Sequence, residues 1–241
     1  MIRNTICLPD TLKRLPDRGG ARRQCTMPAA PCGQALRADA IMLTKRPGVE
    51  AAVLRGVKTV LRPIDENDLE LLHKWENDPE VTYFLNADRY RSMSHEEIQR
   101  RYRQIRMDPT MELFIIETLR GERIGMIGYD NFSVERRSFR VYIGIGEKQY
   151  WNQGYGTDAM CALLRYGFSN LQVERIYLSV YDFNDRAIAA YRKCGYKVDG
   201  VRRNVALVDG QWCDSIEMSV TAADFERQMQ RRATAGRHRH D

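Results

Sequence analysis

The stretch Ile143-Gly144-Ile145-Gly146-Glu147-Lys148-Gln149-Tyr150-Trp151-Asn152-Gln153-Gly154-Tyr155-Gly156-Thr157 decides how this chain is read. An alternating apolar segment passes through a glycine-bearing loop into a helical pattern, which predicts strand, loop and helix in that order. Gly154 and Gly156 permit backbone angles and close approaches that a Cβ forbids. The helix start that follows presents amides with no intrahelical acceptor, and the peptide dipoles add a partial positive charge there. Such a place is a cradle for a pyrophosphate. A structural turn with no ligand fits a G-x-G before a helix about as well, so the neighbours must be read too.

Downstream, Thr157–Ser169 reads as a helix with Met160, Leu163, Leu164 and Phe168 on one side, and Arg175–Tyr181 alternates as a strand. Asp185–Cys194 reads as a helix ended by Gly195, suited to a left-handed C-cap. Arg203–Val208 and Gln211–Val220 flank Asp209-Gly210, a strong hairpin signal. Upstream, Phe139–Ile145 enters the loop, and Leu113–Thr118 and Arg123–Asp130 form two more strands around a turn at Arg120-Gly121. Thr59–Arg62 is a short strand ending at Pro63. Two helices lie between. One is capped by Asp65, carries Leu69, Leu72 and Trp75, and is stopped by Asn77-Asp78-Pro79; the other opens on the capping-box pair Ser94 and Glu97 and carries Ile98, Tyr102 and Ile105. The order βααβββαβαββ predicts a mixed sheet with helices on its faces. The domain spans 56–222, with a short helix and basic tail over 223–241.

The formal charge of +6 suggests nucleic acid until it is located. Residues 1–55 hold ten Lys/Arg against four acids, a net +6 equal to that of the whole chain. The last fifteen residues add five Arg against one Asp, which leaves 56–226 slightly acidic and suited to a cationic or amine acceptor. Five of the eight prolines also fall in 1–55, with few aromatics and no sustained period. That stretch is expected to be a disordered extension or an over-extended start, with Met42 as the alternative first residue. A transit peptide is a weaker third reading, because acids are present and serines are few. No apolar run approaches the roughly 20 residues of a membrane span. The six cysteines form no C-x-x-C pair and the histidines complete no zinc pattern, so reduced thiols, no metal and a cytoplasmic location are expected.

A second motif makes the first specific: Asn184-Asp185-Arg186-Ala187-Ile188-Ala189-Ala190-Tyr191-Arg192-Lys193-Cys194-Gly195-Tyr196. With Trp151-Asn152-Gln153-Gly154-Tyr155-Gly156 it resembles the GNAT N-acetyltransferase superfamily, in the branch of ribosomal-protein-alanine and spermidine acetyltransferases. There the loop is written [Q/R]-x-x-G-x-[G/A] and the second segment N-x-x-A-x-x-x-Y-x-K-x-G-F. Trp151 departs from Gln/Arg, which matters little where main-chain amides make the contacts. The resemblance covers about 58–220. It implies an α/β (α+β) fold with a mostly antiparallel central sheet flanked by helices on both faces. It also implies direct attack of an amine on the thioester of acetyl-CoA, with no covalent enzyme intermediate.

On that resemblance, main-chain groups of Val141–Ile145, notably Val141, Ile143 and Ile145, bind the pantetheine arm. Amides of Asn152, Gln153, Gly154, Tyr155, Gly156 and Thr157 bind the pyrophosphate. Asn184 binds the cofactor arm, or caps its helix, or both. Tyr191 is the candidate general acid for the departing thiolate; packing at the core edge is its other reading. Cys194 is expected to be a small buried residue and not a nucleophile. Related enzymes often carry a Glu where Arg140 falls, so proton removal is left to water or to Glu112, Glu117 or Asp130, each expected as a solvated surface charge. The acceptor is a small-molecule amine, a polyamine or a peptide N-terminus, with no nucleic acid and no membrane. A homodimer through the sheet edge near the C-terminal hairpin is expected. A non-catalytic acyl-CoA sensor is the competing class, and a nucleic-acid protein working through its basic tails is a third.

Overall fold

Consecutive residues of the strand Glu112–Thr118 face two different cores, and this sets the layers of the molecule. Leu113 and Ile115 pack with Leu72, Trp75, Ile98 and Ile105, whereas Phe114 and Ile116 pack with Met160, Leu163 and Leu164. Side chains alternate across a strand, so one that is apolar at successive positions is covered on both faces. In the computed structural model, which describes residues 52–85 and 92–237, those covers are helices.

In chain order the elements are β1 (Leu54–Arg55), β2 (Thr59–Pro63), a 3-10 turn (Glu66–Asp68), α1 (Leu69–Asn77), α2 (Pro79–Thr82) and α3 (His95–Met107). There follow β3 (Glu112–Thr118), β4 (Arg123–Ser133), β5 (Ser138–Ile145), a second 3-10 turn (Lys148–Tyr150) and α4 (Tyr155–Ser169). The chain ends with β6 (Arg175–Tyr181), α5 (Asp185–Lys193), β7 (Lys197–Val208), β8 (Gln211–Thr221) and α6 (Ala222–Arg237). The strands form one sheet in the order β1-β2-β3-β4-β5-β6-β8-β7. Every neighbouring pair is antiparallel except β5 and β6. Helices α1 and α3 cover one face, and α4, α5 and α6 cover the other with residues such as Leu164, Ile188 and Phe225. The mixed, mostly antiparallel sheet with helices on both faces is therefore as expected.

Local signals held where side chains close them. Ser94 and Glu97 form the capping box of α3, and Asp209 (φ 51°) and Gly210 (φ 79°) take the left-handed angles of their hairpin turn. Several boundaries differ; β7, for one, starts at Lys197 and not at Arg203. Asp78 accepts the amides of Glu80 and Val81, and Pro79 stands at the first position of α2, where a missing N–H costs nothing. The expected stop is thus a restart. Leu54 and Arg55 pair with Leu61 and Val60, so the expected limit at 55 cuts through a hairpin; the rest of that extension, residues 1–51, lies outside the described residues. The short helix expected over 223–241 is α6, which runs 16 residues and buries Phe225 in the main core; the last four residues also lie outside the described residues.

The feature that positions the site is the parallel pair. β5 and β6 are joined only at Ser138↔Arg175, Phe139↔Ile176 and Arg140↔Tyr177. β4 holds β5 as far as Ile145, while β8 holds β6 along its whole length. Each strand follows its other neighbour, and beyond Arg140 the two part.

Candidate active site

The parting of β5 and β6 opens a cleft of about 400 Å³. Its lining includes Val141, Ile143 and Ile145 of β5, Leu178–Tyr181 of β6, the loop after β5 and one face of α5. On the edge of β5 toward β6, the main chain past Arg140 has no strand partner among the described residues. These peptide groups are available to a ligand lying along the strand.

The loop ends at the start of α4. Gly154 is the N-cap, held at φ 84°, and it brings no side-chain cap. The starts of α2, α3 and α5 and the first 3-10 turn are closed by Asp78, Ser94, Asn184 and Asp65 respectively. The start of α4 has no such cap and faces the cleft. Tyr155, Gly156 and Thr157 form its first turn, where amides have no intrahelical acceptor, and all three line the cleft with Asn152 and Gly154. Gln153 does not line it; its Nε2 donates to the Gln149 carbonyl at 2.5 Å, and its own carbonyl accepts from Lys58 Nζ at 3.0 Å. Gly156 is helical and a methyl there would meet Ile145 and Ile143 carbons at 3.7 and 3.9 Å, so the protein's own atoms leave room for alanine. Trp151 in place of Gln/Arg has a visible use. Its Nε1 donates to the Ile145 carbonyl at 2.8 Å, pinning the loop to the end of β5, and the Arg186 guanidinium lies 4.4 Å from its ring centroid.

Asn184 is buried, and its Oδ1 accepts the Ala187 amide at 3.1 Å, so the capping role is real. That bond leaves the Nδ2 donors at the cleft wall. Tyr191 lines the same cleft and packs against the core beside Tyr196, with ring centroids 5.8 Å apart. Burial, and secondarily Cys194, push its phenol above the usual tyrosine range, so it stays protonated. Its hydroxyl has no hydrogen-bond partner among the described residues. Cys194 is fully buried, with its Sγ 3.6 Å from Cys161 Sγ; neighbour and burial together hold it as a neutral thiol. That suits packing and not nucleophilic attack.

The carboxylates correct an expectation, for none of the three candidates is a solvated surface charge. Glu112 is buried and accepts from the Tyr129 hydroxyl at 2.8 Å. Glu117 receives Arg62 Nε at 2.9 Å, on the β2–β3 side of the sheet. Asp130 is 1% exposed, lines the cleft and is bound by Arg140. Sequence reasoning missed further anchors. Glu147 Oε1 ties the loop to Lys74 Nζ (2.5 Å) and Trp75 Nε1 (2.9 Å), and Asp158 ties α4 to residues 57–59. An acid in a first helical turn reads as a dipole partner. Nothing in the sequence marks a partner so remote.

Among the described residues no group of three or more His, Cys, Asp or Glu is placed to hold a metal ion, and no helix is long and apolar enough to cross a membrane.

Known proteins share this fold. The family described as "Acetyltransferase (GNAT) domain" matches residues 58–197. Spermidine N(1)-acetyltransferase of Escherichia coli (strain K12) is 28% identical over 162 residues, covering 66% of this chain and 84% of that protein. The [Ribosomal protein uS5]-alanine N-acetyltransferase of the same organism is 33% identical over 104 residues, covering 42% and 53%. In fold, the chain is similar to the crystal structure of spermidine N-acetyltransferase from Vibrio cholerae in complex with CoA and spermine. The TM-score is 0.64 at 21% identity, over 70% of this chain and 98% of that one. The matched domain spans the strand, loop and helix that build the cleft, and relatives named as transferases do not favour a non-catalytic sensor. The chain belongs to the GNAT acetyltransferase family, and its reaction is transfer of an acetyl group from acetyl-CoA to an amine.

Proposed function

We propose that this enzyme acetylates the primary amine of a small molecule with an apolar body, by direct attack on the thioester. The observation that carries the reading is one cleft with an uncapped helix start on its wall and a protonated, unpartnered Tyr191 hydroxyl beside it.

Acetyl-CoA, when bound, supplies the thioester. The amides of the α4 start and its loop hold the diphosphate, as orphan helix donors do. The open edge of Val141–Ile145 holds the pantetheine arm and orients the carbonyl. Asn184 adds its amide donors. Asp130, as the carboxylate of the described lining, takes the proton of the incoming ammonium. Tyr191 gives its proton to the departing sulfur and regains one from the nitrogen of the new amide, which carries an extra proton after the attack. Alignment of amine and thioester in the narrow gap between β5 and β6 supplies the remainder of the rate.

The acceptor class follows from the lining. The slightly acidic domain suggests a polycation, and relatives are named for spermidine. The described cleft reverses that charge: Arg140, Arg186 and Lys193 face one carboxylate, and Arg140 already occupies it. Val81, Phe84, Leu85 and Tyr181 complete the wall with apolar surface. A monoamine on an aliphatic or aromatic carrier fits this better than a polyamine or a peptide N-terminus. Thiol release from acetyl-CoA across a panel of such monoamines, polyamines and peptides tests it. Aromatic and alkyl monoamines should lead in kcat/KM; a panel led by spermidine would reject the assignment. Exposed Val198, Val201, Leu207 and Trp212 along β7 and β8 support a homodimer at the sheet edge, which sedimentation tests.

A further inference from the structure

The carboxylate of Asp158, in the first turn of α4, accepts four hydrogen bonds from the turn between β1 and β2 and the first residue of β2. They come from the amides of Val57 (3.0 Å), Lys58 (2.8 Å) and Thr59 (3.0 Å) and from Thr59 Oγ1 (2.8 Å). Thr59 is fully buried, and a Cβ on Gly56 would lie 2.1 Å from Asp158 Oδ2, so the turn admits only glycine there without a shift. Arg165 Nη2 adds a bond to the Arg55 carbonyl at 3.3 Å. The hairpin is thus docked on the helix whose start faces the cleft, and Lys58 has its backbone fixed at that docking point.

From there Lys58 Nζ reaches the carbonyl of Gln153 at 3.0 Å, with Nζ 5.7 Å from the Tyr155 ring centroid. That carbonyl shares one planar peptide with the N–H of Gly154, and in a trans peptide the two point in opposite directions. Holding the carbonyl toward Lys58, away from the cleft lining, turns the Gly154 N–H the other way. Gly154 lines the cleft and Gln153 does not. The ammonium also polarises the carbonyl, which strengthens the N–H as a donor. Gly154, at φ 84°, has no side chain to fix its own orientation, so an external hold on this peptide has a purpose.

We propose that Lys58, anchored through Asp158, is a positioning residue for the cofactor loop: the β1–β2 turn is a latch that aims the 153–154 peptide at the diphosphate. The proposal rests on the reading of that loop as the diphosphate cradle. It assigns a catalytic purpose to a hairpin that a purely structural role would confine to stability.

Steady-state kinetics of the full chain with two acetyl donors tests it: acetyl-CoA, and S-acetylpantetheine, which lacks the diphosphate and nucleotide. Lys58→Met should raise KM for acetyl-CoA about tenfold, the size expected for losing one charge-assisted hydrogen bond. It should leave kcat and the acceptor KM in place, and kcat/KM for acetylpantetheine unchanged. Lys58→Arg should restore most of the loss. Lys58 is exposed, so the melting temperature of Lys58→Met should stay at the wild-type value. Asp158→Asn should shift the acetyl-CoA KM in the same direction, with a lower melting temperature. A Lys58→Met enzyme whose preference for acetyl-CoA survives, or which loses both donors equally, overturns the latch and leaves the cradle standing. A wild-type enzyme that treats both donors alike overturns the cradle, and the latch with it.

Discussion

Arg140 grips Asp130 across the β4–β5 ladder by two hydrogen bonds, Nε to Oδ1 at 2.8 Å and Nη2 to Oδ2 at 2.5 Å. The pair sits where β5 begins to leave β6. The GNAT resemblance puts a Glu in many relatives where this chain has Arg140. Here a carboxylate stands one strand over, directly opposite Arg140 and in the lining of the same cleft.

Burial raises the Asp130 carboxyl above its ordinary value; Arg140 opposes that shift without cancelling it. A carboxylate made more basic in this way can accept a proton from an ammonium. Asp130→Asn should lower kcat/KM for the acceptor by about a hundredfold at neutral pH, within the range of general-base effects. Activity should recover as pH rises toward the pKa of the acceptor amine, because the amine then arrives neutral. A pH–rate profile parallel to that of the wild type would remove Asp130 from the proton path.

Tyr191→Phe keeps the ring against Tyr196 and removes only the proton donor. Turnover should fall about a hundredfold, while CoA affinity by calorimetry stays within about twofold. Since burial holds the phenol above the usual tyrosine range, the wild type should show no loss of activity from this group up to pH 10. An unchanged turnover would return Tyr191 to packing alone.

Acid stability has a separate source. Asp68, with a fully buried side chain, takes Arg62 Nη2 at 2.9 Å and Arg123 Nη1 at 3.3 Å, and Arg62 also binds Glu117. Burial alone would raise the Asp68 carboxyl, but Arg62, the Asp65 amide and Arg123 outweigh it, and its pKa falls below 3.8. The folded protein therefore binds this proton more weakly than the unfolded chain. The resulting stability is complete above the ordinary Asp range and is lost as pH falls through and below it. Denaturant melts from pH 6 to 3 should show that decline, and Asp68→Asn should flatten it. A mutant with the wild-type slope would place the acid sensitivity elsewhere.

Much of this was readable because the signals are local. The capping box at Ser94 and Glu97, the Asp209-Gly210 turn and the apolar alternation of β3 each depend on residues a few positions apart. The cleft loop was legible for the same reason, since its glycines and the helix start are adjacent in sequence. Three features were not. Leu54 and Arg55 follow a basic, proline-rich segment, and only pairing with β2 makes them a strand. Asp158 and Lys58 stand 100 positions apart and meet through folding. Asp130, Glu112 and Glu117 looked like surface charges because alternation says which face a residue takes, not that both faces are covered.

The central claim is that free amides at the start of α4 hold the diphosphate of coenzyme A. A crystal structure of the protein with CoA tests it most directly. The account predicts diphosphate oxygens within about 3 Å of main-chain nitrogens between Asn152 and Thr157, with pantetheine running along Val141–Ile145. Coenzyme A bound with its diphosphate away from that turn, and those amides facing only water, would contradict it.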